Sequence, residues 1–335
     1  MKRPFLWVLR LCITVGILYY LFTKIPFSDV IASITSTRVG YVLIAFLIQV
    51  FIRYIAACRM KILTERQGMS LSILQILGIT FSTIFYGLFL PGGILTGGAI
   101  RWYKLSKPDN KPAEALASAV FDRMVDTIVL CALGMLFWLL DKPSSSSFVG
   151  LILAIVLGGL FMSYLLIFNG NILFFFGSDN KPINFSFVPR VVRSKVHKLI
   201  RSLNQFHNLS QGSLAIILTL SLAYHLFGIL SFYLFALSLN MNISFITIAW
   251  IRSALLILAM LPISISGLGV REGTLVFLLN PYGISAADAI AFSFLLLGAF
   301  LCIGGIGGLI EARSLFLPNR SKSEITEVKR SLEGS

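Results

Sequence analysis

The sequence is short of acid. Its 335 residues hold 14 Asp and Glu against 28 Lys and Arg, a formal net charge of +14, and charged residues of both signs make up only 13% of the chain. A soluble domain carries about 25%, so a chain built of water-soluble domains is excluded, and no length is left for a separate catalytic domain. Cysteine and histidine are also scarce, at four and three. Cys12, Cys58, Cys131 and Cys302 lie in or at the ends of apolar segments without paired spacing, which excludes a disulfide framework and a zinc site. His197, His207 and His225 lack metal-ligand spacing, so neither metal nor cofactor is expected. The glycine-rich stretch Gly92 to Gly98 has no lysine and hydroxyl of a phosphate-binding loop, there is no serine elbow, and no catalytic triad is found. An enzyme is therefore not expected.

What the sequence has instead is apolar surface. Apolar residues make up 57% and the mean hydropathy is +0.88, against about 45–50% apolar in an average soluble domain. Apolar segments lie at roughly 5–23, 39–57, 70–90, 116–140, 148–169, 212–239, 245–262 and 286–311, and most reach the roughly 20 residues needed to cross hydrocarbon. Arg10 interrupts the first and no small-residue cleavage site follows it, so it reads as a retained span. The basic residues gather between these runs. That is the pattern of topology and of contact with anionic lipid, not of nucleic-acid binding.

Charge then fixes a path. The segment Cys58 to Gly68, the stretch 101–111, the long polar connection Gly170 to Gln211 and the tail after Glu311 are all basic and belong on the cytoplasmic side. A full crossing at 70–90 would place two of them outside. The conflict disappears if residues 70 to 103 enter from the cytoplasm, break at Pro91-Gly92-Gly93 and return, and if 245–280 enters from outside and breaks near Pro262. The expected fold is an all-α polytopic transmembrane bundle of about six full spans plus two re-entrant hairpins, a possible inverted repeat. It comprises one transmembrane domain over 1–311, including the basic loop 170–211, and a polar, disordered cytoplasmic tail over 312–335. Both termini are expected in the cytoplasm, and the membrane is expected to be the cytoplasmic one. Between Val188 and Leu209 the apolar residues Val192, Val196, Leu199, Leu203 and Phe206 recur at helical spacing. This segment is either a basic amphipathic helix on the inner leaflet or a cytosolic helix packed on the membrane domain.

The two breaks share a spelling. Leu90-Pro91-Gly92-Gly93-Ile94-Leu95-Thr96-Gly97-Gly98-Ala99-Ile100-Arg101 repeats, with one gap, the order of proline, glycines and arginine in Leu261-Pro262-Ile263-Ser264-Ile265-Ser266-Gly267-Leu268-Gly269-Val270-Arg271. Interrupted apolar segments at matching places in two halves point to a midplane binding site. Freed backbone amides and half-helix N-termini at such breaks favour anions. Within the 116–140 span, Asp122 and Asp126 share a helix face and Arg123 is placed to pair with Asp126. At about 2.5 to 3.5 kcal/mol for each ionised residue at mid-membrane, these three must face the bundle or a wet cavity. Arg252 and Glu272 are candidates to neutralise or extend that cluster, and a purely structural ion-pair network is the competing reading. Gly304 and Gly308 form a small-xxx-small pattern that allows close helix packing.

Taken together, Pro91-Gly92-Gly93, Gly97-Gly98-Ala99-Ile100-Arg101, Asp122-Arg123-x-x-Asp126 and Pro262-x-Ser264-x-x-Gly267-x-Gly269-x-Arg271-Glu272 resemble the transmembrane, flippase-like region of lysylphosphatidylglycerol synthases and its stand-alone relatives. The resemblance runs from about residue 10 to 311. It implies a membrane domain that moves or binds lipids, without the soluble aminoacyl-transferase domain of the full synthases. Ala99 stands where many stand-alone relatives have an acidic residue, so substrate preference does not carry over. On this reading the chain is a lipid translocase or lipid-binding transporter for a phosphate-bearing phospholipid or lipid-linked intermediate. Gly92, Gly93, Gly97, Gly98, Gly267 and Gly269 open backbone at the cavity, and Arg101 and Arg271 hold the headgroup phosphate. Asp122, Arg123, Asp126, Arg252 and Glu272 tune the polar path. The rival is a non-transporting membrane partner of a lipid-modifying or glycosyl-transferring enzyme.

The six-span path makes one simple demand. In a cysteine-depleted background, single cysteines at Ser145 and Ser194 should label with a membrane-impermeant thiol reagent from opposite sides of the membrane, and labelling from one side rejects the path.

Overall fold

A computed structural model describes residues 25–90, 93–141, 198–260 and 267–316, together with a few helical positions within 16–23 and 155–159. The expected spans 5–23 and 148–169, most of the 170–211 loop and the tail beyond Phe316 lie outside these residues. Among the described residues every regular element is helical and none is a strand. The helices are α1 (Phe27–Thr35), α2 (Val39–Arg66), α3 (Ile73–Phe89), α4 (Ile94–Ser106), α5 (Pro112–Leu140), α6 (Gln211–Ser238), α7 (Phe245–Met260), α8 (Val270–Leu279) and α9 (Ala286–Phe316). Among them α2, α5, α6 and α9 are long and apolar enough to cross a membrane. At 1.5 Å per residue, the 28 residues of α2 reach about 42 Å. The chain is an all-α membrane bundle.

The two short-helix pairs turn back on themselves. Ser70, before α3, donates from its backbone amide and its hydroxyl to the Asp109 carboxylate just after α4, both at 2.8 Å. The entry and exit of the pair are thus tied together, and the two hydrogen bonds hold the Asp109 carboxyl below its usual range. That end also gathers Arg66, the segment 198–210 and the C-terminal part of α9. Gln67 Nε2 donates to the Ser202 carbonyl at 2.7 Å, and Lys104 pairs with Glu311. The opposite end holds the start of α2, whose Arg38 amide donates to the Ser238 carbonyl at 2.9 Å. It also holds the end of α5, where Asp141 accepts from Trp250 on α7 and from Tyr282 after α8, each at 2.6 Å. So α3–α4 leaves from and returns to one end, and α7–α8 does the same at the other.

Glycine makes the first hairpin fit. A Cβ on Gly307 or Gly308 of α9 would overlap the Phe81 carbonyl or the Phe85 ring of α3, and one on Gly304 would overlap Leu88. A Cβ on Gly97 of α4 would lie 2.8 Å from the Thr83 carbonyl of α3. The small-residue pattern of the last span is therefore the face on which α3 rests. The end of α3, at Leu88 and Phe89, lies beside Gly304. The second hairpin arrives from the other end, where Arg271 of α8 donates to Ser293 of α9 at 2.6 Å. Between Ser293 and Gly304 lies only about 16 Å of helix.

Apolar packing divides accordingly. One cluster holds the ends of α5 and α6 with α7, α8 and the start of α9, including Trp250, Phe235 and Phe292. The other joins Met60, Leu63, Leu71, Leu105 and Phe121 at the basic end. Phe206 is buried there and stacks on Phe121 at 4.5 Å, with Leu199 and Leu203 alongside. The described part of the 188–209 stripe is thus packed on the bundle, the second of the two sequence readings. Residues 188–197 lie outside the described part.

Gly307→Val should force α3 off α9 and cost about 1–3 kcal/mol, read as a lower denaturation midpoint in detergent. Gly98→Ala, with nothing within 4 Å of its Cβ position, should leave the midpoint unchanged.

Candidate functional site

Between the two apolar clusters lies a charged layer. Asp126, Tyr224 with His225, and Arg53 sit at the midpoints of α5, α6 and α2, so the layer falls near the centre of the spanning helices. Asp122 and Asp126 stand one turn apart on α5 and are both buried. The cation between them is Arg59 of α2. Its Nε donates to Asp122 Oδ1 at 2.6 Å, and its Nη1 donates to Asp126 Oδ1 at 2.7 Å and to the Ser221 hydroxyl at 2.8 Å. A planar guanidinium suits this fork, since its nitrogens can address two carboxylates at once.

This overturns one sequence expectation and completes another. Arg59 was placed in a cytoplasmic segment after a span ending near residue 57, whereas α2 continues to Arg66 and buries Arg59 to 3% exposure. The expected pairing of Arg123 with Asp126 is present, at 4.0 Å from Asp126 Oδ2 and with Arg123 exposed, but the closer cation is Arg59, at 2.7 Å. The physical reason is depth. A carboxylate in the bundle interior is neutralised most closely by a cation that can reach it from a facing helix, while Arg123 reaches Asp126 from the exposed side of α5.

Two further arginines bring the hairpins to this layer. Arg101 of α4 donates from Nη2 to Asp122 Oδ2 at 3.2 Å. Arg252 of α7 approaches through His225, whose Nδ1 lies 3.4 Å from Arg252 Nη1 and whose Nε2 lies 2.9 Å from the Asp126 carbonyl oxygen. The His225 Nε2 also lies 3.3 Å from Asp126 Oδ1, so the imidazole joins α7 to α5. Glu272 does not reach the layer. It accepts from Arg271 Nη2 at 2.6 Å, from the Ser293 hydroxyl at 2.6 Å and from the Gly269 amide at 2.6 Å. That last bond caps α8, and both Gly267 and Gly269 hold left-handed backbone, φ +80° and +81°, that favours glycine.

The remaining glycines separate. Gly93 stands at the start of α4 with φ +54°, Gly97 is a packing contact with α3, and Gly98 is exposed. Gly92 lies outside the described residues, as do Pro91 and the 261–266 segment. A second cluster escaped the sequence reading. Glu311 of α9 accepts from Ser82, from Tyr86 at 3.1 Å and from Lys104, tying α3 and α4 to the last helix. Arg53 was also missed, although a charge inside the 39–57 apolar run was itself a sign.

Two short-helix pairs thus enter the bundle from opposite ends and reach one charged central layer. The chain belongs to the family described as the lysylphosphatidylglycerol synthase TM region, whose model matches residues 7–306. It is also similar to the UPF0104 membrane protein MJ1595 of Methanocaldococcus jannaschii, with 22% identity over 311 residues, covering 88% of this chain and 89% of that one. Membership places it among membrane proteins of lipid metabolism or transport.

Arg59→Ala should strand two carboxylates in the apolar interior and cost about 3–5 kcal/mol. Arg123→Ala, at 59% side-chain exposure, should cost little. Melting temperatures of the two purified variants in one detergent provide the comparison, and equal losses would reject the assignment of Arg59 as the central cation.

Proposed function

We propose that the chain is a lipid translocase or lipid-binding transporter acting on a phosphate-bearing phospholipid or lipid-linked intermediate. The observation carrying this reading is the pair of opposed hairpins that reach one charged layer, Arg101 from one side and Arg252 from the other. A path for a charged headgroup across hydrocarbon needs such a layer, because bare ions at mid-membrane are costly. Opposed hairpins let the layer open toward either face in turn.

In this reading Arg101 and Arg271 receive the headgroup phosphate. Each is held by a carboxylate through part of its fork. Arg101 Nη2 is on Asp122, while Arg271 Nε and Nη2 are on Glu272 and Ser293. The remaining N–H groups are oriented for a ligand. The basic end, with Arg66, Lys107, Lys111 and Lys198, faces the cytoplasm by the charge rule, in the cytoplasmic membrane. The backbone at 93, 98, 267 and 269 lines the approach, with Asp122, Arg123, Asp126 and Arg252 setting the polarity of the layer and Glu272 holding Arg271.

The test is reconstitution in liposomes with a panel of fluorescently labelled lipids, read as headgroup accessibility to a membrane-impermeant quencher. A phosphate-bearing lipid should exchange between leaflets faster than in protein-free vesicles. Arg101→Lys and Arg271→Lys should slow it about tenfold or more, because lysine cannot reproduce the bidentate fork, with Arg123→Lys milder. Binding without exchange would favour the rival, a membrane partner of a lipid-modifying or glycosyl-transferring enzyme.

A further inference from the structure

Charge in the central layer does not balance. Arg53, Arg59, Arg101, Arg123 and Arg252 bring five guanidiniums to the layer, and Asp122 and Asp126 supply two carboxylates. Arg59, Arg101 and, from the exposed side, Arg123 take both carboxylates. The other carboxylates of the bundle are engaged elsewhere: Glu272 by Arg271, Glu311 by Lys104, and Asp141 by Trp250 and Tyr282. Among the described residues, then, no carboxylate forms an ion pair with Arg53 or Arg252.

The two surplus arginines flank one turn of α6. Arg53 Nη1 donates to the Tyr224 hydroxyl at 3.2 Å and its Nη2 to Gln49 Oε1 at 3.3 Å. Arg252 contacts the adjacent His225 at 3.4 Å. Each guanidinium lies over an aromatic ring, Phe300 for Arg53 at 6.0 Å and Phe232 for Arg252 at 5.4 Å. In each the Nε is buried and has no hydrogen-bond acceptor. Arg252 is 3% exposed, and Gly228 forms the notch that receives it, since any Cβ there would collide with the guanidinium. A residue notched into place with a donor left open, in an interior poor in water, carries a desolvation cost that the protein itself does not offset.

Access is from the side. Arg53 is half-buried, and the same helix exposes Leu43, Leu47, Phe51 and Tyr54 along one stripe, a surface made for acyl chains. We propose that Arg53 and Arg252 form an anion site for a lipid-borne phosphate, which enters between them from the bilayer with its tails left along the Leu47 and Phe51 face of α2. Two guanidiniums offering open N–H groups match the several oxygens of a phosphate better than a single carboxylate would. The site differs from the Arg101 and Arg271 positions and rests on membrane placement, not on translocation.

The test uses the purified full chain in uncharged detergent, with thermal unfolding measured alone and with dioleoyl phosphatidic acid, dioleoylglycerol or inorganic phosphate. Phosphatidic acid should raise the parent's melting temperature, dioleoylglycerol should not, and inorganic phosphate should do so far less. Arg252→Met removes the unanswered charge at similar volume. Without ligand it should melt at or above the parent, and it should bind phosphatidic acid about tenfold more weakly or worse. Arg53→Gln, at the half-buried edge, should weaken binding in the same way and carries the test alone if Arg252→Met does not fold. The exposed Arg313→Gln should match the parent throughout. The proposal is overturned if phosphatidic acid stabilises both variants as fully as the parent, if ligand-free Arg252→Met melts well below the parent, or if inorganic phosphate equals phosphatidic acid. Phosphatidic acid bound by a chain that moves no lipid supports this site and overturns the translocase reading, so the two fail separately.

Discussion

An arginine held between two carboxylates in an apolar bundle is the constraint around which this fold is arranged. Arg59, Asp122 and Asp126 come from α2 and α5, and Ser221 of α6 completes the fork. Each charge alone would be costly at this depth, and the pairing is tolerable only with good geometry on all partners. The consequence is positional. The helices α2, α5 and α6 cannot slide or rotate against each other without breaking a charge-assisted hydrogen bond, so their register is fixed at the centre while apolar contacts above and below are interchangeable in kind.

A second constraint is steric and belongs to glycine. The small faces of α9 and α4 let α3 approach until backbone nearly touches side chain. In a membrane there is little hydrophobic drive between helices, so such close packing contributes much of the association. Glu311 adds a polar latch at the same interface, reached from α3 and α4 together. The first hairpin is thus held by glycine contact along its length, a latch at its base and Arg101 near the central layer. The second hairpin is held by the Glu272 cap and by the Arg271 bond to Ser293.

The sequence conveyed the fold class, the two breaks and the carboxylate pair because those features are local. Run length, proline and glycine at an interruption, and a four-residue spacing can all be read within one helix. The partner of the carboxylates could not be read that way, since Arg59 lies 63 positions from Asp122 and only the packing of α2 on α5 joins them. Arg59 looked like the first loop residue after a span, because a basic residue at the end of an apolar run usually is. Its companion Arg53, deep inside the same run, was the legible warning that α2 carries charge into the bundle. Glu272 was assigned to the wrong cluster for a related reason. Its nearest cation is its own neighbour Arg271, and the i, i+3 bond to Gly269 uses its second oxygen.

Both hairpins converge on α5, Arg101 on the Asp122 carboxylate and Arg252 by way of His225, whose Nε2 lies 2.9 Å from the Asp126 carbonyl oxygen and 3.3 Å from its carboxylate, and Arg59 spans the two acids. The acids are therefore a shared resource. If either hairpin withdraws, it removes a positive group from a pair that Arg59 still holds, and the field at the other hairpin changes without any movement of α5. An anion arriving between Arg53 and Arg252 acts on the same balance with the same sign as a departing arginine, because each makes the layer more negative. Two hairpins that share no direct bond in the described structure thus touch one rigid helix through charge, and the low-dielectric surroundings of the layer strengthen that interaction.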